Sequence, residues 1–408
     1  MPTRAHGIHQ AAIHSAIKKL IDNLTHLKDT TGEFLLKLDD GRVIDTKAWD
    51  EDNWEWTHGI GLYGIWQYHS LTGDERSLAI IEEWFERRLA AGGTTKNINT
   101  MAVFLTLAHL YEKTGKQSYR AWLDAWGEWA MHGLPRTQYG GMQHVTYLPL
   151  FPFEPQSRSN PVGRYLTANT QQLWDDTLMM TVLPLAKIGQ VLNRPHYIQE
   201  AKRQFLLHIQ YLFDPKTGLF HHGWVFEDGG KRAGHNFAEA AWARGNCWLT
   251  VAIPEFLELL DDCDASGANQ ELDSSFRIHL QNTLLAQCRA LKALQQRPSS
   301  SPGLWRTILD DESPASYPEA SATAGIAFGM LKAARKRYIP AAEFEDTAVR
   351  ALRNVIANIN SAGELCNVSF GTPVFMTKDE YFGIKITPMP YGQSMAVLAL
   401  VEFLRAYL

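Results

Sequence analysis

Two adjacent carboxylates, Asp175 and Asp176, interrupt the otherwise apolar run Gln171-Gln-Leu-Trp-Asp-Asp-Thr-Leu-Met-Met. A carboxylate buried among such neighbours is costly unless it is hydrogen-bonded or used, which makes the pair a candidate for general acid/base chemistry. On a helix the two side chains stand roughly a quarter turn apart, so if one caps the first turn the other points to the buried face. The plain alternative is that both favour a helix N-terminus, where the positive end of the macrodipole meets them.

Other stretches offer groups that could bind what such an acid would attack. Trp54, Trp56 and His58 precede an apolar segment, and Trp242-Ala-Arg-Gly-Asn-Cys-Trp248 sets two indoles around Arg244. Indoles stack on the C–H faces of sugars, and a guanidinium grips a carboxylate with two parallel hydrogen bonds. Arg244 would equally serve an internal salt bridge to a helix-end acid, and the aromatics a large core. Asn97, Asn99, His144, Trp174, His221, His222 and Trp224 complete the candidates. No HExxH or similar spacing is present, so no metal is expected. Cys247, Cys263, Cys288 and Cys366 are scattered and read as reduced bystanders.

The composition narrows the class. The chain has 408 residues, 45% of them apolar and 20% charged, with a net charge of -5. A sizeable core follows, and neither a nucleic acid nor an anionic membrane is favoured as partner. The opening residues lack the apolar centre of a signal peptide and no run is long enough to span a bilayer, which points to a cytoplasmic protein. Monomer and dimer fit the sequence equally.

The elements that must position these groups are helices. Apolar periodicity predicts them at 9–28, 54–71, 76–90, 98–113, 118–132, 174–191, 196–213, 237–260, 273–293, 318–336, 342–360 and 391–407. Gly73 and Gly115 fall just past two helix ends, in matching registers and one hairpin's length apart, where a left-handed C-cap is needed. Asn193 takes that place in a third echo, before Pro195. Short strand signals occur only between helices, around Gly140–Tyr147, Gly218–Trp224 and Gly303–Thr307. Paired helices repeated about six times, with small hairpins at one end, fit an all-α (α/α)6 toroid better than an open array, which would expose an apolar face at each end. The expected organisation is a single domain over 1–408. The Pro-rich, aperiodic stretch at 148–168 is expected as a loop insert near the site, and the acidic stretch from Asp261 as a solvated loop.

At this point the residues resemble a known family. Leu173-Trp-Asp-Asp-Thr-Leu, Gly218-Leu-Phe-His-His-Gly-Trp, Trp242-Ala-Arg-Gly-Asn-Cys-Trp, Glu319-Ala-Ser-Ala-Thr-Ala-Gly and Pro388-Met-Pro-Tyr-Gly-Gln, with Asn97-Ile-Asn-Thr and Gly141-Met-Gln-His before them, resemble the unsaturated rhamnogalacturonyl hydrolases of glycoside hydrolase family 105, relatives of family 88. The resemblance implies a six-hairpin toroid acting on lyase-generated disaccharides that begin with a 4,5-unsaturated uronic acid. It implies that Asp176 protonates C4 and activates a water for C5, with no cofactor. Trp54, Trp56, His58, Asn99, His144, Trp174, His222, Trp242, Arg244 and Trp248 then match the substrate site, with Arg244 on the uronate carboxylate and Trp242 and Trp248 as stacking walls. Asn99 stands where several relatives carry a second Asp, and it cannot titrate. Asp175 is the other acid near in sequence, and its side chain is expected to point elsewhere. A 2-epimerase or isomerase working through His pairs, and a non-catalytic carbohydrate-binding toroid, are the competing readings.

Overall fold

The computed structural model describes residues 3–37, 43–50, 54–146, 169–230, 233–264, 270–296 and 302–408, so the expected insert at 148–168 lies outside the described residues. The chain opens with α1 (Gln10–His26), α2 (Trp56–Thr72), α3 (Glu75–Ala90), α4 (Val103–Thr114) and α5 (Gln117–Glu128). It continues through α6 (Leu183–Val191), α7 (Pro195–Leu212), α8 (Ala243–Asp264), α9 (Gln270–Gln295), α10 (Ala320–Arg335) and α11 (Ala341–Ala357) to the short α12 (Lys378–Phe382) and α13 (Pro390–Tyr407).

Packing sorts them into two rings. Each of α2, α4, α6, α8, α10 and α13 packs on the next, and α13 returns to α2, which closes the inner ring. Outside it, α3, α5, α7, α9 and α11 each pack against the inner helix that precedes them, and α1 packs against α13. The fold is therefore an (α/α)6 toroid whose N-terminal helix completes the C-terminal pair. One apolar cluster runs through both rings, from Ile13 to Leu404.

The sequence explains which helix goes where. α1 buries only Ile13, Ile17, Leu20, Ile21 and Leu24, one stripe at helical spacing, as an outer helix needs. α2 is buried at every position from Thr57 to His69 because it has neighbours on all sides. Close approach is met by glycine: a Cβ at Gly59 would lie 2.5 Å from the Ala102 Cβ, and one at Gly329 would lie 2.1 Å from the Thr250 carbonyl oxygen. The expected caps are present, with Gly73 at φ 71°, Gly115 at 64° and Asn193 at 53°.

Three expected boundaries are corrected. The helix expected at 174–191 begins late, because a strand at Gln172–Trp174 pairs antiparallel with one at Gly223–Phe226, which in turn pairs with Gly234–Asn236. A π-helical turn, Leu178–Val182, then leads into α6, where Pro184 lacks the N–H that would return to Met180. The helix expected from 237 begins at Ala243, because Ala238 and Glu239 adopt left-handed φ of 57° and 46°. At the acidic stretch, α8 runs on to Asp264, so Asp261 to Asp264 are helical and not loop. No helix among the described residues is long and apolar enough to cross a membrane.

Candidate active site

A cleft of about 920 Å³, its open mouth included, is lined by the start of α2, the Asn99 turn, the His144 segment, the end of the Gln172–Trp174 strand, Trp242 and Arg244 at the head of α8, and residues 370–373.

Strand pairing places the two carboxylates. The ladder ends with Trp174 opposite Gly223, and the Asp175 N–H still donates to the His222 carbonyl oxygen at 3.0 Å. Asp175 and Asp176 therefore sit at a strand end, not on a continuous helix. Asp175 does turn away from the cleft, as expected, yet it stays beside its neighbour: oxygens of both carboxyls and a nitrogen of His222 lie within 4.8 Å of one another. Asp175 is fully buried and faces α8 at Gly245, where a Cβ would lie 2.1 Å from Asp175 Oδ2. The glycine in Trp-Ala-Arg-Gly-Asn makes room for that carboxyl. Apart from the neighbouring Asp176 carboxyl, with which Asp175 interacts directly, no hydrogen-bond partner for either Asp175 oxygen is found among the described residues.

Asp176 is 16% exposed and opens to the cleft, and its Oδ2 lies 3.2 Å from His222 Nε2. Burial and then the charge of Asp176 push the Asp175 carboxyl well up, whereas the hydrogen bond and charge of His222 outweigh burial and hold Asp176 below the usual carboxylate range. The pair titrates as a unit, with its proton favoured on the buried member. Burial thus favours the protonated form at Asp175, behind the cleft, more than at Asp176, which faces it. Asp175, Asp176 and His222 are also, among the described residues, the group whose spacing could hold a cation.

The imidazoles are tied in place. His222 is fully buried, with Nδ1 2.8 Å from Tyr381 Oη and its ring 4.1 Å from that of Trp242. His144 lies flat on Trp174 at 4.2 Å, its Nδ1 is 2.8 Å from Thr177 Oγ1, and burial pushes it down to about 3, so it is neutral.

Arg244 takes the alternative weighed in the sequence. Its Nη1 donates to the Ser369 carbonyl at 3.0 Å and to Ser369 Oγ at 2.5 Å, and its Nη2 donates to the Phe370 carbonyl at 2.9 Å and Thr372 Oγ1 at 3.1 Å. It also pairs with Glu319 at 3.5 Å, both side chains fully buried. Its guanidinium lines the cleft and holds the 369–372 loop through both Nη atoms, while its Nε–H makes no hydrogen bond among the described residues.

Trp56, Asn99, His144, Trp174, Asp176, Trp242 and Arg244 meet at the cleft, and His222 stands directly behind Asp176. Three expected contacts are corrected, because they lie in the wall behind it. Trp54 packs against Trp84, Phe104 and Trp126 and donates its indole N–H to the Thr100 carbonyl at 2.8 Å. His58 forms a capping box with Glu55 and bonds the Ala48 carbonyl at 3.0 Å. Trp248 is fully buried, edge-on to Trp56 at 6.0 Å. Glu55, Thr57, Thr146, Thr372 and Tyr381 belong to the site or its support and were not anticipated. Glu55 had a local signal, a polar residue between two tryptophans at a helix start; Tyr381 had none.

Comparisons with known proteins give the family and agree with the fold. The sequence profile of Glycosyl Hydrolase Family 88 matches residues 26–407. An unsaturated rhamnogalacturonyl hydrolase of Bacillus subtilis (strain 168) is 28% identical over 355 residues, 86% of this chain and 90% of the relative. A crystal structure of a possible member of the GH105 family from Klebsiella pneumoniae subsp. pneumoniae MGH 78578 is 50% identical, covers 100% of this chain and 96% of that one, and superposes with a TM-score of 0.86. Its counterpart from Salmonella enterica subsp. enterica serovar Paratyphi A str. ATCC 9150 is also 50% identical, over 100% and 97% of the chains, with a TM-score of 0.87.

Proposed function

The chain belongs to Glycosyl Hydrolase Family 88 and is a glycoside hydrolase, and from that premise we propose that it removes a 4,5-unsaturated uronic acid from the end of a lyase-generated disaccharide. Unsaturated rhamnogalacturonan disaccharide is the first substrate to test, since the Bacillus relative is named for that class. The observation that carries the reading is Asp176, a carboxyl that opens to the aromatic cleft while His222 grips it from behind.

Asp176 gives its proton to C4 of the enol ether, and positive charge develops at C5 beside the ring oxygen. Water adds at C5 and returns a proton to Asp176, so the acid is regenerated. The hemiketal formed at C5 opens to a ketone, which leaves C1 as an open-chain hemiacetal that expels the leaving sugar. No displacement occurs at C1, so the carboxylate separations of ordinary glycosidases do not govern the outcome. Asp176 must be protonated to begin. An arriving uronate makes a further negative charge on the pair unfavourable, which draws a proton onto Asp176. His144 and Asn99 offer neutral hydrogen-bonding groups, Trp56 offers stacking surface, and Trp174 and Trp242 stiffen the wall behind it.

The test follows the ultraviolet absorbance of the conjugated double bond. It should fall with the wild-type protein and hold steady with Asp176→Asn. A flat trace with wild type across several unsaturated uronides would overturn the reading.

A further inference from the structure

Behind Asp176 the structure holds a chain of hydrogen bonds whose direction can be worked out. The Tyr381 phenol is fully buried. Its oxygen lies 3.3 Å from the Phe375 backbone nitrogen and 2.8 Å from His222 Nδ1. A backbone N–H can only donate, so the phenol oxygen accepts there. The phenol proton needs an acceptor of its own, and among the described residues that acceptor is His222 Nδ1. Nδ1 therefore carries a lone pair, and the proton of the neutral ring sits on Nε2, 3.2 Å from Asp176 Oδ2.

We propose that Tyr381 is a positioning residue for the hydration, fixing His222 in the Nε2–H tautomer so that it donates to Asp176. This rests on the reaction assigned to Asp176 above. The consequence falls after the first proton transfer. As Asp176 gives up its proton to C4, the new carboxylate meets an N–H already aimed at it, with no reorientation of the ring. The opposite tautomer would turn a lone pair toward that carboxylate and leave the phenol proton buried without a partner.

The surroundings hold this arrangement. The His222 ring is pressed on Trp242, and the His222 backbone N–H donates to the Ala240 carbonyl at 3.2 Å. Tyr381 rides on α12, whose start is fixed by a capping box between Thr377 and Glu380. The charged or titratable groups acting on His222 and Asp176 are Asp175 beside them, His144, and Arg244 at the head of α8. None of these bonds His222 Nδ1; Tyr381 does.

Two measurements test the proposal. In protein labelled with ¹⁵N-histidine, the His222 resonances, assigned by their loss in His222→Gln, should show an unprotonated Nδ1 and a protonated Nε2 near neutral pH. A protonated Nδ1 in the wild type overturns the proposal without any variant having to fold. Tyr381→Phe should lower kcat by about 10-fold, the worth of one buried hydrogen bond, with KM within about twofold. The alkaline limb of its kcat profile, where Asp176 loses the proton it must start with, should move to higher pH, because a lone pair at Nε2 favours protonated Asp176. A kcat loss equal at every pH, with the limb in place, means that Tyr381 only supports the fold and overturns the proposal. If wild type leaves unsaturated uronides untouched while His222 shows the expected tautomer, the assigned reaction falls and the hydrogen-bond chain stands.

Discussion

Around Asp176 the cleft is built from titratable groups in mutual contact, whereas at the start of α2 and along 370–373 it offers stacking surface and single polar groups. The first region is assembled over long sequence distances, from a strand end, its partner strand, Gly245 of α8 and Tyr381. The second is largely local: Glu55, Trp56 and Thr57 are consecutive. The contrast teaches where sensitivity lies. In the first region a buried carboxyl has no room to move, so small changes should fall on the chemical step. In the second, changes should fall on binding.

The largest expected effect is on the acid itself. Asp176→Asn keeps the shape of the side chain and removes its proton, so kcat should fall about 10³-fold or more while KM stays within a few-fold. Steady-state kinetics by absorbance would check this, and a mutant that loses binding while keeping kcat would erase the division between the regions. Next comes Gly245→Ala. Its Cβ would lie 2.1 Å from Asp175 Oδ2, so either Asp175 or the head of α8 must shift, and displacement on the scale of an ångström costs about 10²-fold in kcat. Activity within twofold of wild type, in a variant with unchanged circular dichroism, would show that the position of Asp175 does not matter. In the second region, Trp56→Ala removes a ring stacked on Tyr391 at 4.4 Å and facing the cleft. KM should rise about 10-fold, the equivalent of roughly 1.4 kcal/mol, with kcat nearly unchanged. A kcat loss larger than the KM change would move Trp56 into the chemical region.

The same contrast explains what the sequence made legible. Helix ends marked by Gly73, Gly115 and Asn193 were readable because a left-handed cap is a local property of one residue. The toroid was readable because six pairings repeat one local pattern, and Asp176 because charge in an apolar run is conspicuous. The strand at Gln172–Trp174 was not readable, since its partner lies some 50 residues on and three residues carry no periodicity. Arg244 could not be assigned between clamp and internal post, because its partners at Ser369 to Thr372 lie 125 to 128 residues away. Trp54 and Trp56 looked alike as sugar platforms, yet they straddle the N-cap of α2, so one turns into the core and the other into the cleft. Local sequence gives residue types at such a junction; the packing of α3 and α5 against the neighbouring inner helices decides which indole is covered.

The smallest expected effect concerns Glu55, the titratable group of the binding region. As N-cap of α2 its carboxyl accepts a backbone N–H of the first turn, and helix ends of this kind favour an anion. Burial wins over that preference and pushes Glu55 up to about 7. The sign then follows from a folded-state value raised above the unfolded one. The folded protein keeps a proton on Glu55 that the unfolded chain has already released, so the associated stability is full at low pH and is lost as pH rises through about 7. Binding obeys the same logic, because a neutral Glu55 leaves a uronate undisturbed and an ionised one repels it across a poorly solvated cleft. KM should therefore rise between about pH 6 and pH 8 by a few-fold, and Glu55→Gln should flatten that rise while leaving the pH dependence of kcat, which belongs to Asp176 and its neighbours, as it was. Parallel KM and kcat profiles for wild type and variant decide it: if the KM rise persists without Glu55, the binding region takes its pH dependence from the carboxyl pair, and the two regions are electrostatically one.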